Sequence, residues 1–219
     1  LIPETSTSYD MSLKKTSFSA SDLQISNTFS GSFLNVDDRI DMALVRFNED
    51  TGNPEYEYIN ISQYKMWNFS NTNQFKKENW TFNFGAALIG ISQKIENQVF
   101  ASNEKYLYSF NLNSSVSYVV PKWNTTFSTY YKFNGKSQQF VEGATEYIVS
   151  TIDSSHWLDA SIRKTFFKDK LETTIGARNL LNITSINQSR TNEGAGHATS
   201  SQIMLAYGRS YFLKLTYNL

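Results

Sequence analysis

The chain has 219 residues, and its twenty Lys+Arg balance twenty Asp+Glu, which leaves neither a basic footprint for nucleic acid nor an acidic tail. Charged residues make up 18% and aromatics 15%, a composition that excludes disorder, and the absence of cysteine excludes a disulfide scaffold, a zinc-thiolate site and a thiol nucleophile. No apolar run approaches the roughly 20 residues of a membrane-spanning helix, and no signal peptide is recognisable; the chain opens at Leu1, so it reads as processed, truncated or part of something larger.

From the N-terminus onward the periodicity is two, the signature of strands. Tyr9, Met11 and Leu13 alternate with Asp10, Ser12 and Lys14, and then Leu23, Ile25, Phe29 and Phe33 with Gln24, Ser26, Thr28, Ser30 and Ser32. The stretch 57–74 is less clean, its apolar face marked by Trp67 and Phe69. Trp80, Phe82, Phe84, Ala86 and Leu88 form a fourth apolar row, and Tyr106 to Val120 a fifth. Trp123, Thr125, Phe127, Thr129, Tyr131 and Phe133 form the sixth. Leu158–Ile162, Leu171–Ala177 and Tyr211–Leu219 complete nine predicted strands, mostly 10–16 residues long.

Strands in soluble domains average about 5–6 residues, whereas a tilted strand crossing a bilayer needs about 9–11. Aromatic residues at strand ends, such as Tyr211 and Tyr217 around Leu213 and Leu215, suit the boundary between hydrocarbon and headgroups. Backbone groups in lipid must all be paired, so the predicted fold is all-β: a transmembrane antiparallel β-barrel. Short links fall at 75–78, 120–122 and 167–170, with a somewhat longer one at 16–21; long ones fall at about 36–55, 93–103, 135–147 and 184–206. Outer-membrane barrels have short periplasmic turns and long external loops, which places the C-terminus in the periplasm. Nine is odd, however, and bacterial single-chain barrels have even strand numbers. From periodicity alone, either one strand is miscounted in an eight- to ten-stranded barrel, or these are the last strands of a larger one.

Leu1-Ile2-Pro3-Glu4-Thr5-Ser6 followed by Tyr9-Asp10-Met11-Ser12-Leu13-Lys14, then Gly176-Ala177-Arg178-Asn179-Leu180-Leu181-Asn182 with the preceding 158–171 hairpin, then Gly208-Arg209-Ser210-Tyr211-Phe212, fall in a familiar order. Together they resemble the C-terminal barrel of TonB-dependent outer-membrane receptors, in a style similar to members from Bacteroidota. Leu181 stands where that family usually has Phe, Ser12 where it has Gly, and Leu219 where it has a terminal aromatic. The resemblance implies that residues 1–219 are about the last nine strands of a 22-stranded barrel, with the N-terminal plug and first strands outside this chain. It implies energised uptake of a scarce ligand (iron-siderophore, haem, cobalamin, glycan or peptide) through the TonB complex acting on the plug. Outer-membrane lipid and a surface lipoprotein are the further partners; nucleic acid is not.

For ligand capture the candidates are the aromatic and charged residues of the long loops: Arg46, Tyr56, Phe100, Phe140, Tyr147, Arg190 and His197. Asp159, Arg163, Glu172, Arg178 and Lys214 are expected to face the lumen, where charges of both signs pair across strands or meet a plug. No catalytic, cofactor or metal site is expected. A hydrolase built on His197 with Ser200 or Ser201 lacks a nucleophile elbow, and Asp37, Asp38, Asp41, Glu49 and Asp50 lack calcium-loop spacing. His156 reads as a polar rim residue, and seven Asn-x-Ser/Thr sequons read as composition. The rival readings are a complete small barrel with a structural or adhesive role, and that hydrolase.

Overall fold

The computed structural model describes residues 1–19, 22–47, 54–94, 106–142, 147–168, 170–189 and 202–218. Nine strands form one sheet: β1 (Thr5–Phe18), β2 (Gln24–Phe47), β3 (Pro54–Lys77), β4 (Trp80–Lys94), β5 (Tyr106–Val120), β6 (Thr125–Asn134), β9 (Ser155–Phe166), β10 (Leu171–Arg178) and β13 (Ser210–Tyr217). Two small hairpins accompany it, β7 (Ser137–Glu142) with β8 (Tyr147–Ile152), and β11 (Ser185–Asn187) with β12 (Gln202–Met204). The nine strands follow chain order and every neighbouring pair is antiparallel, as the sequence led us to expect.

Polar residues in left-handed conformation tighten the short-turn end. Glu78 (φ 49°) turns β3 into β4, and Asn124 (φ 47°) ends the 3-10 turn Pro121–Trp123 by donating its backbone N–H to the Pro121 carbonyl at 3.1 Å. At the other end the expected loop at 36–55 is mostly strand. β2 and β3 pair from Gln24↔Lys76 up to Phe47↔Pro54, with one irregularity between Leu44 and Arg46. Each has 24 residues, more than twice the about 9–11 needed to cross a bilayer, so the upper part stands outside it. Alternation fails there because water can lie on both faces, and polar pairs such as Gln63 Nε2 donating to Asp37 Oδ1 at 3.2 Å replace it.

Register gives the sheet two unlike faces. One carries Tyr9, Met11, Leu13, Phe69, Trp80, Phe110, Ile162, Ile175, Leu213 and Leu215, each between 42% and 68% exposed. Trp67 packs tilted on Tyr106 and Tyr108 at one level of this face, and Trp80 meets Tyr118 at 4.3 Å at another. Trp67 pairs with Gly90, about ten residues along β4 from Trp80; a rise of ~3.3 Å per residue and a tilt near 40° separate the two aromatic levels by roughly 25 Å, the height of an outer-membrane apolar band. A side chain at Gly90 would collide with the Trp67 ring lying across it, so glycine is required for that girdle residue to lie flat.

The band crosses the pairing rows on a slant. Tyr211, at the upper end of the β13 apolar run, connects row by row through Ala177, Ala160, Thr129, Val116, Phe82, Phe75 and Ile25 to Ser17 of β1. The β1 apolar run begins at Tyr9, so the band slips by about one residue per strand; with ~3.3 Å rise and ~4.8 Å strand spacing, that corresponds to a strand tilt of roughly 35°. Such a slant suits strands inclined in a barrel wall. The sheet itself is open: β1 and β13 are its edges, and no ladder joins them among the described residues. Eight antiparallel steps leave the two edges running in the same direction.

Candidate functional site

The opposite face is polar and knitted in rows. Gln74 Nε2 donates to Asn83 Oδ1 (3.0 Å), whose amide nitrogen donates to Ser115 Oγ (3.0 Å). Ser117 and Ser128 hydroxyls pair at 3.2 Å, Ser12 and Ser30 at 3.0 Å, and Thr16 and Ser26 at 3.1 Å. Short hydroxyls and amides satisfy one another across strands, which makes these rows a hydrophilic wall. On it, Ser115, Ser128, Tyr130, Asp159, Arg178 and Phe212 help to line a hollow of about 290 Å³.

All five residues of the expected charged row lie on this face. Arg163 Nη1 reaches Glu172 Oε2 at 3.7 Å, diagonally across the β9–β10 ladder. The two side chains are 51% and 27% exposed, so the pair is a weak element of the wall. Arg178 lies over the Phe212 ring, 5.2 Å from its centroid, and Lys214 stands opposite Thr174. Phe212 in turn covers Gly176, where any side chain would strike the ring.

Asp159 does something the sequence reading missed. Its Oδ1 accepts the backbone N–H of Asn179 at 2.8 Å. Asn179 is fully buried, and its side chain clamps Ile183 in both directions, with Nδ2 donating to the Ile183 carbonyl (2.8 Å) and Oδ1 accepting the Ile183 N–H (2.9 Å). Asn182 Oδ1 accepts the Arg209 N–H at 3.0 Å, and the Arg209 guanidinium donates twice to the Leu180 carbonyl. Asn179 and Asn182 both adopt left-handed φ (53° and 57°), which asparagine tolerates. The Asn-Leu-Leu-Asn sequence is therefore a polar knot that ties the β10 exit to the start of β13. Asn179→Ala will strand both backbone groups of Ile183 and cost about 2–4 kcal/mol of stability in urea titration, whereas Leu181→Ala, at a side chain 44% exposed, will change little.

The long connections 135–147 and 184–206 are partly structured. Gln188 bridges to Ile152 and donates to the Ser150 hydroxyl at 2.9 Å, Thr151 and Ser189 exchange two hydrogen bonds, and Ser150 is fully buried. The two hairpins are thus laced together at the end of the sheet away from the short turns. The β-branched and aromatic runs Phe140-Val141 and Tyr147-Ile148-Val149 were the available signal.

Of the capture candidates, four occupy strand positions rather than loop tips. Arg46 pairs in register with Glu55, and Tyr56, 44% exposed, with Leu44, both on the projecting β2–β3 ladder. Phe140 of β7 pairs with Val149 and Tyr147 of β8 with Glu142. Phe100, Arg190 and His197 lie outside the described residues, and so does the hydrolase reading that depended on His197. His156, the second residue of β9, is exposed on the same face as Phe133; its Nδ1 is 2.7 Å from the Tyr131 hydroxyl and its ring packs on Phe133. Among the described residues no group of three or more His, Cys, Asp or Glu could hold a metal ion.

A family described as "outer membrane protein beta-barrel family" matches this chain over residues 1–217. No curated protein and no solved structure matches it.

Proposed function

The chain belongs to the outer membrane protein β-barrel family, and on that premise we propose that it is the C-terminal barrel portion of a TonB-dependent receptor, which moves a scarce ligand from outside the cell to the periplasm. The observation that carries this reading is the pair of sheet edges. β1 and β13 run the same way and neither pairs with the other, so closing the wall within these nine strands would require a parallel junction. Bacterial single-chain barrels close with even numbers of antiparallel strands. An odd-numbered partial wall of this kind fits the end of a larger barrel, whose remaining strands and plug are supplied by sequence N-terminal to it.

The chemistry of the wall agrees with transport rather than catalysis. Its polar face offers hydroxyls, amides and paired charges, a surface along which a plug and a hydrophilic ligand can lie. The β2–β3 projection and the laced hairpins form the external mouth, with the C-terminus in the periplasm. The ligand is not modified; energy comes from the inner-membrane proton gradient through the TonB complex.

Uptake tests this directly. The full-length gene, expressed in an outer-membrane host, is offered radiolabelled ferric siderophore, haemin, cyanocobalamin, an oligosaccharide and an oligopeptide. One probe will accumulate above the empty-vector level, and a protonophore or loss of TonB will abolish the gain. Accumulation that survives both treatments would overturn the energised reading.

A further inference from the structure

On the lipid-facing side of β1, β2 and β3 the apolar pattern is interrupted by asparagine. Asn27 Nδ2 donates to Asn73 Oδ1 at 2.6 Å, Asn73 Nδ2 to Asn71 Oδ1 at 2.6 Å, and Asn71 Nδ2 to the Thr28 carbonyl at 3.4 Å. Each amide nitrogen has two N–H donors, and Asn73 has a second one to give. Lys15 shares the row, paired with Asn27, and is exposed. Immediately above lies an apolar hollow of about 510 Å³, floored by Gly31 and walled by Tyr9, Met11, Phe33, Trp67 and Phe69.

We propose that this strip is a binding site for a glycerophospholipid of the inner leaflet. The phosphate meets Lys15, the ester carbonyls accept amide N–H groups of the asparagine cluster, and one acyl chain lies in the Gly31 hollow. Polarity runs in the required direction: Lys15 is at the short-turn end, periplasmic in barrels of this kind, and the hollow lies toward the middle of the membrane. Dimensions agree as well. Four residues from Lys15 to Met11, which pairs with Gly31, span about 13 Å, or roughly 11 Å of depth at a tilt near 35°, most of one leaflet of a ~30 Å hydrocarbon core. Lys15 sits about 10 Å below the middle of the β1 apolar run, within reach of the headgroup level by extending its stem. The empty Cα of Gly31 keeps the chain's path open, since a Cβ there would already press on the Phe69 ring at 3.2 Å. The proposal depends on the outer-membrane location of the wall and not on how any ligand is energised.

Native mass spectrometry of the full-length protein, released from mild detergent after incubation with phosphatidylglycerol, tests it. Wild type will retain one phospholipid; Lys15→Gln will lower the retained fraction about tenfold, as expected for one charge-assisted contact, and Lys15→Glu further. Gly31→Leu will also strip the lipid, while Lys76→Gln on the opposite face will not. Equal retention by wild type and both Lys15 variants would overturn the proposal, as would equal retention of uncharged diacylglycerol or a second protein copy bound in place of lipid. Lys15 is exposed near the short-turn end of β1, so its variants carry the test even if Gly31→Leu fails to assemble.

Discussion

Arginine placed at Phe84, Phe110, Phe127 or Leu215 will block assembly of the barrel, whereas arginine at Asn83, Asn111, Ser128 or Thr216 will be tolerated. The two sets are sequence neighbours and differ only in facing. Phe84, Phe110, Phe127 and Leu215 are 38%, 42%, 38% and 63% exposed on the apolar face. Asn83 and Ser128 join the hydrogen-bonded rows of the other face, and Thr216 pairs there with Glu172. A guanidinium near the middle of the lipid costs about 2–4 kcal/mol, and nothing comparable is lost in a wet lumen. The difference is large enough to read as the fraction of full-length protein showing the heat-dependent mobility shift of a folded barrel. Leu215→Arg should show one of the largest losses, since the slant of the apolar band puts it close to mid-depth, with Leu213 beside it and Tyr211 and Tyr217 toward the edges. Indistinguishable folded fractions for the two sets would mean that the faces are assigned the wrong way round.

The same slant explains which parts of the fold were legible in the sequence. Where lipid lies on one side and water on the other, the alternation is enforced residue by residue, and the nine strands could be read in order from Tyr9 to Tyr217. Above the bilayer that constraint vanishes. Asp37, Asp38 and Arg39 break the pattern although Asp37 and Arg39 continue the β2 ladder around Asp38, so a strand looks like a loop. Within the bilayer the pattern failed at 57–74, and the cause is physical: Asn71 and Asn73 occupy lipid-facing positions and are held by each other and by Asn27 from a neighbouring strand, a compensation that no single-strand periodicity reveals. The charged wall was legible as a set because charges of both signs cannot face hydrocarbon. Individual roles were not, since the partner of Asp159 is a backbone N–H rather than a cation. The Asn-Leu-Leu-Asn sequence could be matched to a family before its reason was visible; left-handed φ at both asparagines and the clamp on Ile183 supply that reason.

Residues 1–219 refolded alone will not yield a stable monomeric barrel. β1 has 14 residues and β13 eight, and each already spends one edge on a neighbour, β2 and β10 respectively. The other edge of each points its remaining backbone N–H and C=O groups outward, and in lipid every such unpaired group costs several kcal/mol. A handful of them outweighs the roughly 5–15 kcal/mol of net stability typical of a folded domain. Bringing the two edges together offers no simple relief, because they run parallel. An odd number of antiparallel strands added beyond β1 removes that difficulty, since every junction then pairs in the ordinary way. The measurement is refolding into phosphatidylcholine vesicles, followed by protease digestion and cold against heated electrophoresis, with the full-length protein as reference. The segment should remain digestible or form mixed oligomers, and the full-length protein should give a compact, protected band. A protease-resistant, heat-modifiable monomer from residues 1–219 would mean that β1 and β13 do meet, and the wall would then be a small barrel in its own right.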